Sequence, residues 1–347
     1  IFQSIATVLS IKDGLIPPTS NLETSDPECD LDYVPEGVRT RRVNSALSNS
    51  FAFGGSNISL VFSNNAGGVL NNRPKGLELS HTPVITGIGL TTPLGIGRGP
   101  FEKAVNLRDY GLSTLEGLGK EWKDSLGGLV DMALVRESIP VGVRRRLNRQ
   151  ASFLFLSIRE ALEDAGITRV EDGLAAMTYG SAFGCSGNVH RFYSQILEEG
   201  PRFCSPYEFN MSVTNAPPSL VAKEFGLNGP IWVFVADEVS WDLSLHWAAR
   251  LIKRGRTGRV IVNAAEELSD SILAIHKSLG LIENAGNKSP HLGEGAISMV
   301  VESAAMASER DARIYGSVGG FGTAQDTECG PLDYSENETS LKSAIAC

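Results

Sequence analysis

The segment GPIWVFVADEVSWDLSLHWAARLIKR, residues 229–254, predicts a strand, a sharp turn and a helix. The apolar run at residues 231–235 has the length and composition of a buried strand. Apolar side chains then recur every four positions, which is the spacing of one helix face, at Leu243, Trp247 and Leu251. Short polar and acidic residues separate the two elements, as helix starts favour, and Gly255 is the predicted C-terminal cap. The turn residues are therefore expected at a helix N-terminus.

A helix N-terminus favours negative charge, and several enzyme families hold a nucleophile in such an elbow. With its Gly-Pro turn and its Ala-Ala-Arg-Leu-Ile helix end, the segment resembles the nucleophile elbow of the β-ketoacyl synthases, condensing enzymes of the thiolase superfamily. Counting back from Ala248 without a gap places Glu238 at the position of the family's cysteine. The elbow therefore has no thiol. Cys185 lies elsewhere, just after a predicted strand, and is not predicted to be the nucleophile.

Glu238 is a poor substitute for a thiol. A carboxylate at a helix N-terminus is stabilised as an anion, which lowers its basicity and its nucleophilicity. Any acyl anhydride that it formed would be labile to water. We expect Glu238 to cap its own helix, and the alternative is a residual role in decarboxylating a malonyl group.

Residues 1–62 resemble the C-terminal part of a β-ketoacyl synthase. A helix is predicted at their start and is expected to end at Gly14, and a final strand is predicted at residues 58–62. The most specific match is Asn-Ser-Phe-x-Phe-Gly-Gly-x-Asn at residues 49–57. The resemblance implies that Phe53 gates the acyl pocket and that Gly54 and Gly55 form the tight backbone beside it. The alternative is a glycine-rich turn whose phenylalanines belong to a core.

A second synthase-like segment follows. Residues 63–81 are rich in Asn, Gly and Ser and predict a linker. The resemblance resumes at the strand and turn of residues 83–95 and continues to Gly322. We therefore predict a C-terminal ketosynthase piece at 1–62, a linker at 63–81, and the N-terminal part of a ketosynthase-like domain at 82–347. The implied fold is α/β, the layered αβαβα thiolase fold, incomplete in a chain that we expect to be a fragment.

Two further motifs of the family are missing from the sequence. The resemblance implies that two histidines and a lysine assist condensation, in a His-Gly-Thr turn and a Lys-x-x-x-Gly-His turn, and neither turn occurs here. We expect that this chain cannot complete a condensation alone. Three hypotheses remain: a chain-length-factor-like subunit without a nucleophile, an active condensing or decarboxylating acyltransferase that uses Glu238, and a structural dimerisation module.

The composition of the chain limits the kinds of partner and ligand that are expected. The 347 residues carry a net charge of −9, which does not favour nucleic acid or an anionic membrane. No apolar run approaches the roughly 18 residues of a membrane span. Five cysteines without a Cys-x-x-Cys pair, and histidines at no ligand spacing, predict a reducing cytoplasmic setting and no metal. The basic run at residues 144–149 predicts a solvated helix face before an amphipathic helix, and the alternative is contact with an acidic acyl carrier protein.

The resemblance also implies how acyl groups reach the protein. It implies an acyl carrier protein that delivers them on phosphopantetheine, with no bound cofactor. It further implies a ketosynthase partner subunit in a homo- or heterodimer.

Overall fold

The computed structural model divides into two compact units, Ile1–Gly76 and Leu77–Cys347. The structure describes residues 2–19, 22, 24, 26–28, 31–52, 56–64, 81–168, 170, 175–237, 239–280, 282, 291–319 and 321–322.

In its described residues the first unit contains one helix and two pairs of strands: α1 (Phe2–Asp13), β1 (Leu15–Ile16), β2 (Arg39–Thr40), β3 (Ser45–Ala52) and β4 (Ser56–Ser63). The predicted helix and its end are confirmed, because Gly14 has φ +66° and its N–H donates to the carbonyl of Ser10 at 3.0 Å. The predicted last strand is part of β4, which pairs antiparallel with β3. Strand β3 was not predicted.

The second unit is built from nine strands and ten helices in its described part. The strands are β5 (Pro83–Thr92), β6 (Gly95–Ile96), β7 (Ser113–Thr114), β8 (Leu126–Gly127), β9 (Ala176–Gly180), β10 (Ile231–Phe234), β11 (Arg259–Glu266), β12 (Gly295–Ser303) and β13 (Gly316–Ser317). The helices are α2 (Arg98–Leu107), α3 (Met132–Ser138), α4 (Val141–Arg144), α5 (Arg149–Asp164), α6 (Ser186–Glu199), α7 (Pro206–Met211), α8 (Ala216–Phe225), α9 (Ser240–Lys253), α10 (Asp270–Ser278) and α11 (Ala304–Glu309).

Seven of these strands form one mixed sheet in the order β10-β9-β11-β12-β5-β13, with β6 paired to β5. Strands β10, β9 and β11 are mutually parallel, whereas β12 and β5 each run antiparallel to their neighbours. The carboxyl ends of the three parallel strands therefore meet at one edge. Helices α9, α6 and α10 begin just beyond that edge.

The sheet is buried on both faces, because alternate side chains of a strand point to opposite sides. Met177, Tyr179 and Ile261 belong to the same core as α5 and α8. Their neighbours along the strands, Ala176 and Val260, belong to the core of α9. The burial of apolar surface contributes about 25 cal/mol per Å² and stabilises the packing of the helices on both faces of the sheet. The resulting helix–sheet–helix layers belong to the predicted α/β class.

The predicted amphipathic helix is found in the second half of α5, where Ala161 and Leu162 are buried and Glu163 is exposed. The first half differs, because every residue of 150–158 is buried. Strands β5, β11 and β12 cover one side of the helix, and α3 and α8 cover others. The approach to β5 is close, since a Cβ on Gly89 would lie 1.9 Å from the carbonyl oxygen of Ser157.

Candidate functional site

The predicted elbow is confirmed at the carboxyl edge of the sheet. Strand β10 ends at Phe234 and helix α9 begins at Ser240. Between them the backbone of Asp237 is left-handed, with φ +48°, which is uncommon for a residue with a side chain. The surrounding contacts must hold such a backbone in place. Glu238 itself lies outside the described residues, so its role remains a prediction.

The side chain of Ser240 holds the turn. Its buried hydroxyl accepts the N–H of Ala236 at 2.9 Å. The single hydroxyl proton faces two carbonyl oxygens, that of Asp237 at 2.6 Å and that of Ser181 at 3.1 Å. Ser240 therefore closes the elbow and attaches it to the loop after β9. From the sequence this serine was predicted only as a polar residue at a helix start.

The end of β9 lies directly against the elbow. A Cβ on Gly180 would lie 2.5 Å from the carbonyl oxygen of Ser240, so a side chain there would displace the helix start. The N–H of Ser181 donates to the carbonyl of Phe234 at 3.0 Å. The turn and the loop after β9 thus form one continuous backbone arrangement.

Two acidic side chains lie at the carboxyl end of β11, where an acidic turn was predicted: Glu266 is the last residue of the strand and Glu267 follows it. Glu266 accepts the N–H groups of Ala182 and Phe183, the latter at 3.4 Å. Burial raises the pKa of Glu266 to about 7, although these backbone donors favour its charged form. Burial also raises the pKa of Glu267, which accepts the N–H of Gly187 at 3.0 Å. A carboxyl group with a pKa near neutrality therefore lies against the loop after β9, which is attached to the elbow.

A buried ion pair fixes the segment after these acids. The carboxylate of Glu294 accepts the N–H groups of Val130 at 2.9 Å and Leu268 at 3.1 Å. Its partner is Arg149, whose Nε lies 2.8 Å from Oε2 of Glu294. The predicted solvated face is therefore wrong for Arg149, because its guanidinium reaches from α5 to the carboxylate of Glu294, the residue before β12.

The comparison with known families places this edge in context. Residues 83–296, which include β5 to β11 and the elbow, match the model of the β-ketoacyl synthase N-terminal domain. The chain belongs to the β-ketoacyl synthase family.

Similar proteins agree with the match. A 3-oxoacyl-[acyl-carrier-protein] synthase 2 from Synechocystis is 57% identical over 60 residues, which cover 17% of this chain and 14% of that protein. A protein of the same name from Staphylococcus aureus is 25% identical over 261 residues, 70% of this chain and 63% of that protein. The chain therefore spans less than two thirds of the length of either relative.

A solved structure extends the agreement to the fold. The ishigamide ketosynthase/chain length factor superposes with a TM-score of 0.63 at 25% identity, covering 71% of this chain and 68% of that one. The predicted thiolase-like α/β fold is confirmed by this likeness and by the family match.

Cys185 is unsuited to act as the nucleophile of a synthase. Its thiol is buried and lies 3.4 Å from Oε1 of Gln150 and 3.6 Å from the carbonyl of Val213. Burial raises the pKa of the Cys185 thiol to about 12. The thiolate is the reactive form of cysteine, and at pH 8 only about one such thiol in 10,000 is ionised.

We expect native protein treated with iodoacetamide at about pH 8 to leave Cys185 unmodified, because the thiol is neither exposed nor ionised. Peptide mapping by mass spectrometry measures the modified fraction. Cys204 is the matched comparison, since it is free and less buried, and denatured protein shows that both peptides are detected. Modification of Cys185 as fast as Cys204 would contradict the buried-thiol assignment.

The predicted gate of the acyl pocket, Phe53 with Gly54 and Gly55, lies outside the described residues. The flanking residues Ala52 and Ser56 are described and pair across the β3–β4 hairpin. The gating role therefore stays a prediction.

His276, on α10, contacts its own helix and the loop after β9. His276 lies with Nδ1 2.8 Å from the carbonyl of Ile272, and its ring packs edge-on against Phe183. Across the described ranges, no group of three or more His, Cys, Asp or Glu side chains is arranged to hold a metal ion. None of the helices described is both long and apolar enough to cross a membrane.

Proposed function

We propose that the second unit acts in fatty-acid or polyketide biosynthesis as a chain-length-factor-like subunit. Such a subunit is a synthase homologue without a nucleophile that pairs with an active ketosynthase and shapes the tunnel for its acyl chain. The observation that carries the proposal is an elbow that the hydroxyl of Ser240 closes, in a sequence where the family's cysteine position corresponds to Glu238. Cys185, buried and protonated, cannot replace that thiol.

The partners follow from the same reading. The relatives are named as synthases that act on an acyl carrier protein, and the solved neighbour pairs a ketosynthase with a chain length factor. We therefore infer that acyl groups reach this chain on the phosphopantetheine of an acyl carrier protein and that its partner is a ketosynthase subunit. We also infer that residues 1–62 are the tail of a ketosynthase, in which Phe53, Gly54 and Gly55 gate an acyl pocket.

Acyl loading of a Glu238→Cys variant tests the proposal. The chain is incubated with acyl carrier protein that carries a radiolabelled acyl group, and the peptide that receives the label is identified by mass spectrometry. We expect label at position 238 in the variant and no label in the unsubstituted chain, because an intact elbow lowers the pKa of a thiol at the helix N-terminus. Asp242→Cys, which places an exposed thiol in the first turn of α9, is the matched control and should stay unlabelled.

Two outcomes would favour the other hypotheses. Acyl transfer or malonyl decarboxylation by the unsubstituted chain, lost in Glu238→Ala, would make Glu238 catalytic. Absence of label in Glu238→Cys, with the variant folded, would mean that the elbow does not accept acyl groups, and a dimerisation module would then be the better description.

A further inference from the structure

The loop at residues 181–184, between β9 and α6, is held from two sides. On one side lies the elbow. The N–H of Ser181 donates to Phe234 at the end of β10, and the carbonyl of Ser181 receives the hydroxyl of Ser240 at 3.1 Å. That hydroxyl also accepts the N–H of Ala236, so the position of the loop and the shape of the turn depend on the same atom.

On the other side lies Glu266. The consecutive N–H groups of Ala182 and Phe183 converge on its carboxylate, as in the concave backbone arrangements that bind anions. Side-chain bonds stiffen the loop between these two attachments. The hydroxyl of Ser181 accepts the N–H of Gly184 at 2.9 Å and Nε2 of Gln150 at 3.2 Å. A displacement on the Glu266 side is therefore transmitted to the elbow.

We propose that Glu266 is a positioning residue for the elbow: its carboxyl group fixes the loop 181–184, and this loop fixes the turn 236–240. The inference rests on the proposed function only in identifying that turn as the place where an acyl group is held. Glu266 is not assigned any contact with substrate.

The charge of Glu266 sets how firmly the loop is held. Its pKa in the folded protein, about 7, is above the ordinary carboxyl value of 4.5. Protonation therefore favours the closed arrangement, and the stability that it contributes is fully present below the ordinary pKa and is lost as the pH rises through about 7. The titratable and charged groups around Glu266 are Tyr179 on β9, Cys185 before α6 and Glu267 after β11, and His276 on α10 lies behind Phe183. Glu267 in turn faces Arg191 on α6, Arg149 on α5 and Glu294 before β12.

Hydrogen exchange distinguishes three side chains at position 266: the native glutamate, which titrates, a neutral glutamine and an alanine. Glu266→Gln keeps the size and an acceptor but is neutral at every pH, whereas Glu266→Ala leaves both N–H groups without their acceptor. In peptides that cover 182–184 and 236–243, we expect the unsubstituted chain to exchange faster than Glu266→Gln already at about pH 6, because an open loop returns Glu266 to its ordinary pKa of 4.5 and the carboxyl ionises there. At about pH 8 the ratio of the two exchange rates should be about tenfold larger than at about pH 6, because the closed loop keeps its proton until the pH reaches about 7.

Glu266→Ala should exchange fast at both pH values. Because variants are compared at one pH, the intrinsic pH dependence of exchange cancels. Glu224→Gln is the control, because it removes the charge of a carboxylate on α8 that pairs with Arg146. The ratio of its exchange rates to those of the unsubstituted chain should not change with pH in these peptides. If Glu266→Ala does not fold, the comparison between Glu266→Gln and the unsubstituted chain still tests whether Glu266 positions the elbow.

The inference is overturned if the ratio between Glu266→Gln and the unsubstituted chain is the same at both pH values. It is also overturned if only the 182–184 peptides respond, since the elbow would then be independent of the loop. No acyl group is used, so failure here leaves the acyl-loading experiment and the proposed function untouched.

Discussion

Gly89→Ala is expected to lower the free energy of unfolding of the second unit by about 3 kcal/mol or more. The new Cβ would lie 1.9 Å from the carbonyl oxygen of Ser157 and 2.5 Å from the backbone nitrogen of Ala161. Both atoms belong to α5, whose backbone cannot move without disturbing the core that it shares with β11 and β12. Urea unfolding followed by tryptophan fluorescence measures the loss, since all four tryptophans lie in the second unit.

Gly99→Ala is the matched control. A Cβ on Gly99 meets nothing within 4 Å, and the residue lies in the first turn of α2. We expect a change within about 0.5 kcal/mol, or a small gain, because alanine favours helix more than glycine does. Equal urea midpoints for Gly89→Ala and Gly99→Ala would show that α5 does not lie against β5 as described.

The sequence predicted the elements that have strong local patterns. The elbow was found because an apolar run and a helical stripe flank it. The predicted strand ends one residue beyond β10, and the predicted cap Gly255 lies one residue beyond the observed cap Arg254. Gly14 was found as a helix end because a left-handed backbone there requires glycine. These predictions needed no information from distant parts of the chain.

The contacts that hold the elbow had no such local pattern. The acidic turn at Glu266 was predicted, but its partner Ala182 is 84 positions away, and only the placement of β9 beside β11 brings them together. Ser240 could not be recognised as the closing residue for the same reason, because one of its acceptors is Ser181. Strand order and register are tertiary properties. The burial of Gln150, Ser152 and Ser157 in the first half of α5 was not predicted, because the elements that cover them come from elsewhere in the chain.

Glu302→Ala is expected to destabilise the second unit by about 3–5 kcal/mol, the usual cost of removing one partner from a buried ion pair. The Glu302 side chain is fully buried and lies 3.0 Å from Nη2 of Arg259. It also accepts the hydroxyl of Thr86 and pairs with Arg310. Without the carboxylate, two largely buried guanidinium groups would lose their counter-ion at the end of the sheet away from the elbow. The same urea unfolding at neutral pH measures the loss.

The pH dependence distinguishes this charge effect from a simple cavity. Burial alone would raise the pKa of Glu302, but the hydrogen bonds from Arg310 and Thr86 and the charge of Arg259 outweigh it, so the pKa lies below the ordinary 4.5. The stabilisation is then present above the ordinary pKa and is lost as the pH falls through the lowered one. The gap between the unsubstituted chain and Glu302→Ala should therefore narrow only below about pH 4.5, whereas a gap due to lost packing would not change with pH. Glu102→Ala, which removes an exposed pair with Arg98, is the control and should cost at most about 1 kcal/mol. An equal loss in the two variants would mean that the carboxylate of Glu302 contributes no more than a surface ion pair.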